Sequence, residues 1–447
     1  MSSRPPALSR TARQRRGRLI GALAAAAALV VGLIAPTAAT ASSPSDTTSV
    51  VGASGAVTSA AILPGALRTQ GRWIVDKQGH RVKLASVNWS GAETQAYTVG
   101  GLDVRRLDDL AALIRQGGFN SVRLPWSNQL VEDNPVVPAT YLKANPQLQG
   151  KRALVVLDAV IASLGRHGVM VVLDNHRSRA DWCCDEAHGD GLWYTKAYPE
   201  SSWIRDWASM ATRYKGARNV VAAELRNEIR PDPSLAPGPT TATWGDGNPL
   251  TDWQAAATRA GNAVLAVNPA WLVVVGGTEY QGNLTGVRAH PVILSVAHRL
   301  VYAAHDYRWF GSDSQLRSYP LFQAKLDTSW GYVTTPERDY TAPVYVSETG
   351  TCTNPNPTEQ CVPLDPIYLA DISKYLREAD LDFAYWPLNG TQGAGYNRTY
   401  GQPETYGLMA PDWSGYGNPR VLAVLQSVPP APHPRTSARR PLMVSGR

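Results

Sequence analysis

Short apolar runs, rich in β-branched residues, alternate with segments of helical periodicity along most of the chain. The amphipathic segments include VRRLDDLAALIRQGG and PIYLADISKYLREAD. The strand candidates are VKLASVNW (82–89), NSVRLPW (120–126), VMVVLDNH (169–176), NVVAAELRNE (219–228), WLVVVGGTE (271–279), RLVYAAHDY (299–307), APVYVSE (342–348) and DFAYWPLN (382–389). Apolar strands that alternate with helices predict a parallel sheet covered on its outer face, and eight strands close an α/β (β/α)8 TIM barrel.

The segment GRWIVDKQGHRVKL (71–84) precedes the first strand and predicts an N-terminal β-hairpin that plugs the barrel floor. A doubly wound open sheet is the competing architecture. Such a sheet usually has a glycine-rich turn after its first strand, whereas Asn88-Trp89-Ser90 stands here. We therefore expect the barrel with its hairpin.

Both ends of the chain differ in composition from this body. Residues 1–41 combine six arginines, the stretch LIGALAAAAALVVGLIA and a small-residue end at Ala41, which predicts a cleaved secretory signal peptide. An uncleaved membrane anchor is the alternative, since the apolar stretch is near the lower spanning limit. The Arg15-Arg16 pair leaves general and twin-arginine export both open. Residues 42–66 predict a flexible linker, and residues 429–447 a disordered tail.

The net charge of +7 belongs mainly to these ends. Residues 1–41 hold six arginines and no acidic residue, so they account for six of the seven charges. The rest of the chain is then close to neutral, which removes the main argument for a nucleic-acid partner. We expect a secreted, extracellular monomer without stable membrane insertion after signal removal.

The four cysteines, Cys183, Cys184, Cys352 and Cys361, are typical of an oxidising compartment and allow three disulfide pairings. A local Cys352–Cys361 bond would leave Cys183 and Cys184 as a vicinal pair. Cross-pairing between the two loops is the main alternative. A zinc site is not expected, because no CxxC motif or nearby histidine pair accompanies them.

Two glutamates, Glu228 and Glu348, each end an apolar run, in VVAAELRNEI and APVYVSETG. In a barrel of this type the chemistry lies at the carboxyl ends of the strands. The second strand passes through Arg123, and other polar or aromatic residues at the strand ends are Asp174, Asn175, His176, Asn227, His305, Asp306, Tyr307, Trp386 and Asn389. Two convergent carboxyl groups are what glycoside hydrolysis requires.

The two carboxyl groups need different protonation states. The acid must hold its proton, so burial or a neighbouring anion should raise its pKa. The nucleophile must stay ionised, which Arg123 would secure through charge-assisted hydrogen bonds. Asn227, beside the expected acid, would donate to a sugar 2-hydroxyl. Trp386 would offer an apolar face to the pyranose.

Other acidic residues receive supporting roles. Glu224 shares strand parity with Arg226 and is expected to form an ion pair with it inside the barrel. Glu279 is a substrate contact at most, and Asp174 is a partner of Arg123 or His176. A metal site is not expected, because strand one ends without the His-x-His pattern of barrel metal hydrolases.

The ordered site residues resemble glycoside hydrolase family 5 over roughly residues 67–428. They are Arg123, His176, Asn227, Glu228, His305, Tyr307, Glu348 and Trp386. Segments such as GLWYT (191–195) look closest to secreted bacterial endo-β-1,4-glucanases. The resemblance implies a retaining hydrolase of β-glucan or another β-linked saccharide, without metal or organic cofactor. It implies that Glu228 is the acid/base and Glu348 the nucleophile, while the other residues shape the subsite of the reacting sugar.

Several positions depart from the family pattern. Ile229 stands where proline is common, and Thr349 follows the expected nucleophile where Phe or Trp is usual. The segment TEYQGNL (278–284) lacks paired tryptophans, and HRSRADWCCDEAHGDG (176–191) is longer and carries cysteines. An exo-acting β-glycosidase, a mannanase and a non-catalytic carbohydrate-binding barrel therefore remain alternatives.

Overall fold

A computed structural model describes residues 63–184, 189–238, 240–355 and 360–429 of the chain. The expected signal peptide, most of the expected linker and nearly all of the expected tail lie outside these ranges, and their boundaries stay predictions. Within the described ranges, no helix has the length and apolar character that crossing a bilayer requires.

Eight parallel strands close into a barrel, which confirms the predicted fold. They follow a two-stranded antiparallel sheet formed by β1 (Arg68–Gln70) and β2 (Trp73–Val75). The barrel strands are β3 (Ala85–Asn88), β4 (Ser121–Ser127), β5 (Met170–Arg177), β6 (Val220–Glu224), β7 (Leu272–Gly276), β8 (Leu300–His305), β9 (Val344–Thr349) and β10 (Asp382–Tyr385). Strand β10 pairs with β3 and closes the ring.

Helices cover the outside of the barrel. They are α1 (Leu107–Gln116), α2 (Asn128–Asp133), α3 (Ala153–Arg166), α4 (Glu200–Arg213), α5 (Trp253–Val267), α6 (Asp313–Leu316), α7 (Tyr319–Ser329), α8 (Asp365–Glu378) and α9 (Pro419–Gln426). In the fully described segment between β7 and β8, a 3-10 turn at Thr285–Arg288 stands in place of an α-helix.

Strand alternation separates two apolar layers. On β5, Met170 and Val172 belong to the cluster that fills the lower barrel interior, whereas Val171 and Leu173 belong to the cluster formed with the helices. Because successive strand side chains point to opposite faces, a strand buried on both faces has to be apolar at nearly every position. This explains the continuous apolar runs in the sequence.

The N-terminal sheet plugs the bottom of the barrel, as predicted. Leu67 and Ile74 are buried in the interior cluster, together with Leu84. The predicted boundaries are shifted, because the first turn lies at Gly71, whose φ is +54°. A second turn brings Arg81 back beside Val75. The chain therefore folds back twice before β3 begins.

Candidate active site

A cavity of about 510 Å³ lies at the carboxyl ends of the barrel strands. We call it the cleft; its lining residues are His176, Trp182, Cys183, Cys184, Asn227, Glu228, Tyr280, Tyr307, Trp309, Phe310, Glu348, Trp386, Arg398, Glu404 and Tyr406. Six of the eight predicted site residues are in this lining. The other two, Arg123 and His305, are fully buried and hydrogen-bonded to members of it. A larger cavity, about 820 Å³, is lined by Leu67, Val220 and Trp271 and includes none of the eight.

The two glutamates converge, although only Glu348 lies within a strand. One carboxyl oxygen of Glu228 and one of Glu348 lie within 4.8 Å of each other. Strand β6 ends at Glu224, and Glu228 stands four residues further along with a φ of +43°. Its backbone N–H donates to Gln281 Oε1 at 2.8 Å. The prediction that Glu228 directly ends a strand is therefore wrong, since a short loop carries it over the barrel.

Arg123 holds Glu348 and Asn227 in position. Its Nη1 donates to Glu348 Oε1 at 2.6 Å and to Asn88 Oδ1 at 3.0 Å, and its Nη2 donates to Asn227 Oδ1 at 2.9 Å. Tyr307 Oη donates to the other oxygen of Glu348 at 2.9 Å. Both contacts on Glu348 favour its ionised form, because each donates a hydrogen bond to the carboxylate.

The expected ion pair between Glu224 and Arg226 is wrong. Glu224 accepts two hydrogen bonds from Arg123, at 2.8 and 3.0 Å. Arg226 donates instead to Asp190 Oδ1 at 2.5 Å and to Asn175 Oδ1 at 3.0 Å. The parity argument fails because β6 ends at Glu224, so Arg226 follows the path of the loop rather than the alternation of the strand.

Asp174 contacts both of its expected partners, Arg123 and His176. Its Oδ1 lies 3.1 Å from Arg123 Nη2, and its Oδ2 lies 2.6 Å from His176 Nδ1. The His176 ring stacks on Trp386, with centroids 5.3 Å apart and an interplanar angle of 8°. Glu279 is exposed, accepts a hydrogen bond from Asn283 and is absent from the cleft lining. Its expected role as a substrate contact gains no support.

The hydrogen-bond chain from Glu224 through Ser347 and His305 to Glu228 indicates which of these groups are protonated. Ser347 Oγ donates to Glu224 Oε1 at 2.9 Å and therefore has only lone pairs left for His305 Nε2 at 3.1 Å. Burial lowers the pKa of His305 to about 4, so the ring is neutral at pH 7 and has one N–H. That proton is on Nε2, which leaves Nδ1 to accept a hydrogen bond from Glu228 Oε1 at 3.0 Å.

A protonated Glu228 satisfies this arrangement, because only the neutral carboxyl group can donate to His305 Nδ1. Burial raises the pKa of Glu228 to about 7, and burial also raises the pKa of Glu348 to about 7. With two buried carboxyl groups this close, one proton between them is favoured over two negative charges. The contacts of Arg123 and Tyr307 place the negative charge on Glu348.

Glu228, His305 and Glu348 also offer three donor atoms within 4.8 Å of one another, which is a possible metal-ligand set. The surrounding charges disfavour a cation there. Both oxygens of Glu348 already accept hydrogen bonds, one of them from the guanidinium of Arg123. That fixed positive charge at 2.6 Å would repel a cation bound to the same carboxylate.

The family model for cellulase (glycosyl hydrolase family 5) matches residues 75–392. The chain belongs to this family. An endoglucanase of Paenibacillus polymyxa is 35% identical over 376 residues, which cover 81% of this chain and 86% of the relative. The major extracellular endoglucanase of Xanthomonas campestris pv. campestris is 36% identical over 260 residues, which cover 56% of this chain and 50% of the relative. The match thus spans half the length of that second protein.

Solved structures agree with the family assignment. The hyperthermophilic endocellulase of Pyrococcus horikoshii superposes with a TM-score of 0.69 at 28% identity, covering 82% of this chain and all of that one. The catalytic domain of the Xanthomonas endoglucanase gives 0.67 at 28% identity, covering 81% and 99%. The resemblance inferred from the sequence is confirmed, and this family 5 protein is a glycosyl hydrolase enzyme. The alternative of a non-catalytic barrel is set aside.

The loops of this family 5 enzyme add residues that the sequence did not single out. Trp309 is 53% exposed and stacks on Tyr307, with centroids 4.6 Å apart. Its position four residues after His305, in the loop that follows β8, was the signal that could have found it. Gln281 and Ser347 donate buried hydrogen bonds to Glu224, and Gln281 also accepts from the Glu228 backbone N–H; the sequence gives no comparable signal for these contacts.

The disulfide pairing is local in both loops. Cys352 is bonded to Cys361, and Cys183 is bonded to Cys184. The alternative of cross-pairing between the loops is therefore wrong. Only the vicinal pair contributes to the cleft lining, whereas neither Cys352 nor Cys361 does.

Proposed function

We propose that this enzyme is a secreted, retaining endo-β-1,4-glucanase that cleaves β-glucan by double displacement. The observation that carries the proposal is the separation of at most 4.8 Å between carboxyl oxygens of Glu228 and Glu348. Retaining glycosidases hold their carboxyl groups about 5–5.5 Å apart, whereas inverting enzymes need roughly 6.5–9.5 Å to seat a water. The gap therefore favours direct attack by a carboxylate.

In the first step, Glu348 attacks the anomeric carbon while Glu228 donates its proton to the departing glycosidic oxygen. The glycosidic bond breaks and a glycosyl ester of Glu348 forms. Glu228, now ionised, then removes a proton from the water that attacks the same carbon, and Glu348 leaves as a carboxylate. Arg123 and Tyr307 favour Glu348 as an anion at the start and at the end of this cycle.

The remaining site residues would hold the reacting sugar. Asn227 has its carbonyl oxygen engaged by Arg123, so its Nδ2 end faces the cleft, where it would donate to a 2-hydroxyl. This hydrogen bond strengthens as positive charge develops at the neighbouring carbon. Trp386, backed by the stacked ring of His176, offers a flat apolar face to the pyranose.

The proton on Glu228 predicts the alkaline limb of the pH profile. Its pKa of about 7 means that kcat/KM should fall as the pH rises through about 7, because the acid form is lost. The fall at low pH comes from protonation of Glu348. We expect Glu228→Gln to lose the alkaline limb on an aryl glycoside whose leaving group needs no proton, measured as kcat/KM against pH. An alkaline limb that persists unchanged in this variant would assign it to another group.

The substrate proposal draws on the relatives and on the walls of the cleft. Several relatives are described as endoglucanases, and the Pyrococcus endocellulase has been crystallised with cellotetraose. Trp309, Tyr280 and Phe310 add aromatic surface next to the two glutamates, which suits the apolar faces of glucose units.

A panel of soluble polysaccharides, with product lengths read by chromatography, tests this proposal. We expect mixed oligosaccharides from β-1,4-glucan and an early drop in viscosity, as internal cuts produce. Monosaccharide as the sole product would instead assign an exo-acting β-glycosidase. Hydrolysis of mannan in preference to glucan would assign a mannanase.

Secretion rests on residues 1–41, whose pattern is that of a signal peptide. One relative of similar sequence is described as extracellular. We propose export, removal of residues 1–41 and action as a monomer outside the cell. N-terminal sequencing of protein recovered from the medium checks the cut after Ala41, and an intact N-terminus would contradict it.

A further inference from the structure

The loop that follows β5 brings Cys183 and Cys184 against the amide of Asn227. The Asn227 Nδ2 atom lies 3.6 Å from Cys183 Sγ and 3.5 Å from Cys184 Sγ. These distances suit weak N–H···S hydrogen bonds, in which the sulfur accepts. His176 Nε2 is the third neighbour of the same nitrogen, at 3.4 Å. The disulfide is therefore part of the immediate surroundings of the Asn227 N–H groups.

The orientation of the Asn227 amide is fixed from its other end. Its Oδ1 accepts from Arg123 Nη2 at 2.9 Å, so Nδ2 has to face the cleft and the two sulfurs. A 2-hydroxyl that accepts a hydrogen bond from Nδ2 must approach to about 3 Å. It then lies beside the sulfurs as well, because they are within 3.6 Å of the same atom.

The loop that carries the disulfide is anchored on the cleft side. Asp181 Oδ1 accepts from the backbone N–H groups of Trp182 and Tyr396, at 2.8 and 2.7 Å. The guanidinium of Arg398 lies 3.9 Å from the Trp182 ring centroid. Trp182 in turn contacts Trp386, with ring centroids 6.0 Å apart. These contacts hold the residue before Cys183 in place, so the sulfurs have a defined position in the cleft.

We propose that the Cys183–Cys184 disulfide positions the Asn227 amide and forms the wall of the pocket for the 2-hydroxyl of the reacting sugar. This inference rests on the proposed function of the site. A disulfide has no proton to donate, so it can only accept from Asn227 Nδ2 and keeps the amide in the orientation that Arg123 sets. Two free thiols would add donors and two independent rotations at the same place. The pair is thus a positioning element that acts through Asn227.

The test compares an aryl β-cellobioside with its analogue that lacks the 2-hydroxyl on the reacting sugar. For Cys183→Ala/Cys184→Ala we expect kcat/KM on the parent substrate to fall about tenfold, the scale of one lost hydrogen bond. On the 2-deoxy analogue the change should stay within about twofold, because the affected contact is absent. In an Asn227→Ala background the cysteine substitutions should have no further effect on the parent substrate.

Reduction of the wild-type enzyme offers the same test without a substitution. A small dithiol converts the disulfide to two thiols while it closes to its own cyclic disulfide, and reoxidation should restore the rate. The matched control is Cys352→Ala/Cys361→Ala, which removes the disulfide outside the cleft. This control should keep the wild-type ratio of kcat/KM between the parent substrate and the 2-deoxy analogue. It should also lose activity on reduction by the dithiol as the wild type does.

If Cys183→Ala/Cys184→Ala lost kcat/KM equally on both substrates, the proposal would be overturned and the disulfide would only constrain the loop. An unchanged kcat/KM on both substrates would overturn the proposal too. If the wild-type enzyme turned over neither substrate, the proposed function would be the part that failed. Calorimetric titration of cellotetraose into oxidised and reduced protein would then still decide the inference, with about tenfold weaker binding expected after reduction and equal binding contradicting it.

Discussion

Glu348→Ala is expected to lower kcat at least about 10⁴-fold while the protein stays folded. The variant lacks the group that forms the glycosyl ester, so both chemical steps are lost. Folding should survive because Arg123, which donates to Glu348, also donates to Glu224 and lies 3.1 Å from Asp174. The measurement is the initial rate on an aryl β-cellobioside, with a thermal melt of the same sample.

Glu279→Gln is the matched control for this experiment. Glu279 is another glutamate that follows a barrel strand, but it is exposed and hydrogen-bonded to Asn283 outside the cleft. We expect its kcat to stay within about twofold of the wild type, as for most surface substitutions. If Glu348→Ala kept more than about a hundredth of the wild-type rate, Glu348 would not be the nucleophile.

Arg123→Met is expected to destabilise the protein by about 3–5 kcal/mol and to abolish turnover. The substitution leaves Glu224, Asp174 and Glu348 buried without their shared cation. The free energy of unfolding from denaturant titration measures the effect. The deficit should shrink at acidic pH, because protonated carboxyl groups no longer need the guanidinium.

Arg205→Met provides the comparison for this stability measurement. Arg205 donates to Glu132 at 2.7 Å, but its side chain is 58% exposed. An exposed ion pair contributes less than about 1 kcal/mol, so this variant should unfold almost like the wild type. Similar losses in the two arginine variants would show that the buried network contributes no more than a surface pair.

Much of the barrel was predictable because its strands are buried on both faces. Val171 and Val172 illustrate this, since one packs against helices and the other fills the barrel interior, so both must be apolar. Most site residues were predictable because they lie at or shortly after a strand end, where a barrel places its chemistry. Arg123 lies within β4 and was recognised as a buried cation on a mostly apolar strand. The order of the site residues along the chain then placed them on successive strands.

The loops set the limit of prediction from sequence. Strand parity assigned Arg226 to Glu224, but the chain leaves β6 at Glu224, and Arg226 pairs with Asp190 instead. The approach of Cys183 and Cys184 to Asn227 depends on how a long loop folds over the barrel. Such contacts join residues 43 or 44 positions apart and follow no periodic pattern.

The anomeric configuration of the glycosyl azide formed by Glu348→Ala tests the central claim most directly. With azide in place of the missing carboxylate, attack comes from the face opposite the leaving group while Glu228 is intact. Proton NMR should therefore show an α-glycosyl azide from a β-glycoside. A β-glycosyl azide would mean that another residue still forms the covalent intermediate, and it would contradict the double displacement through Glu348.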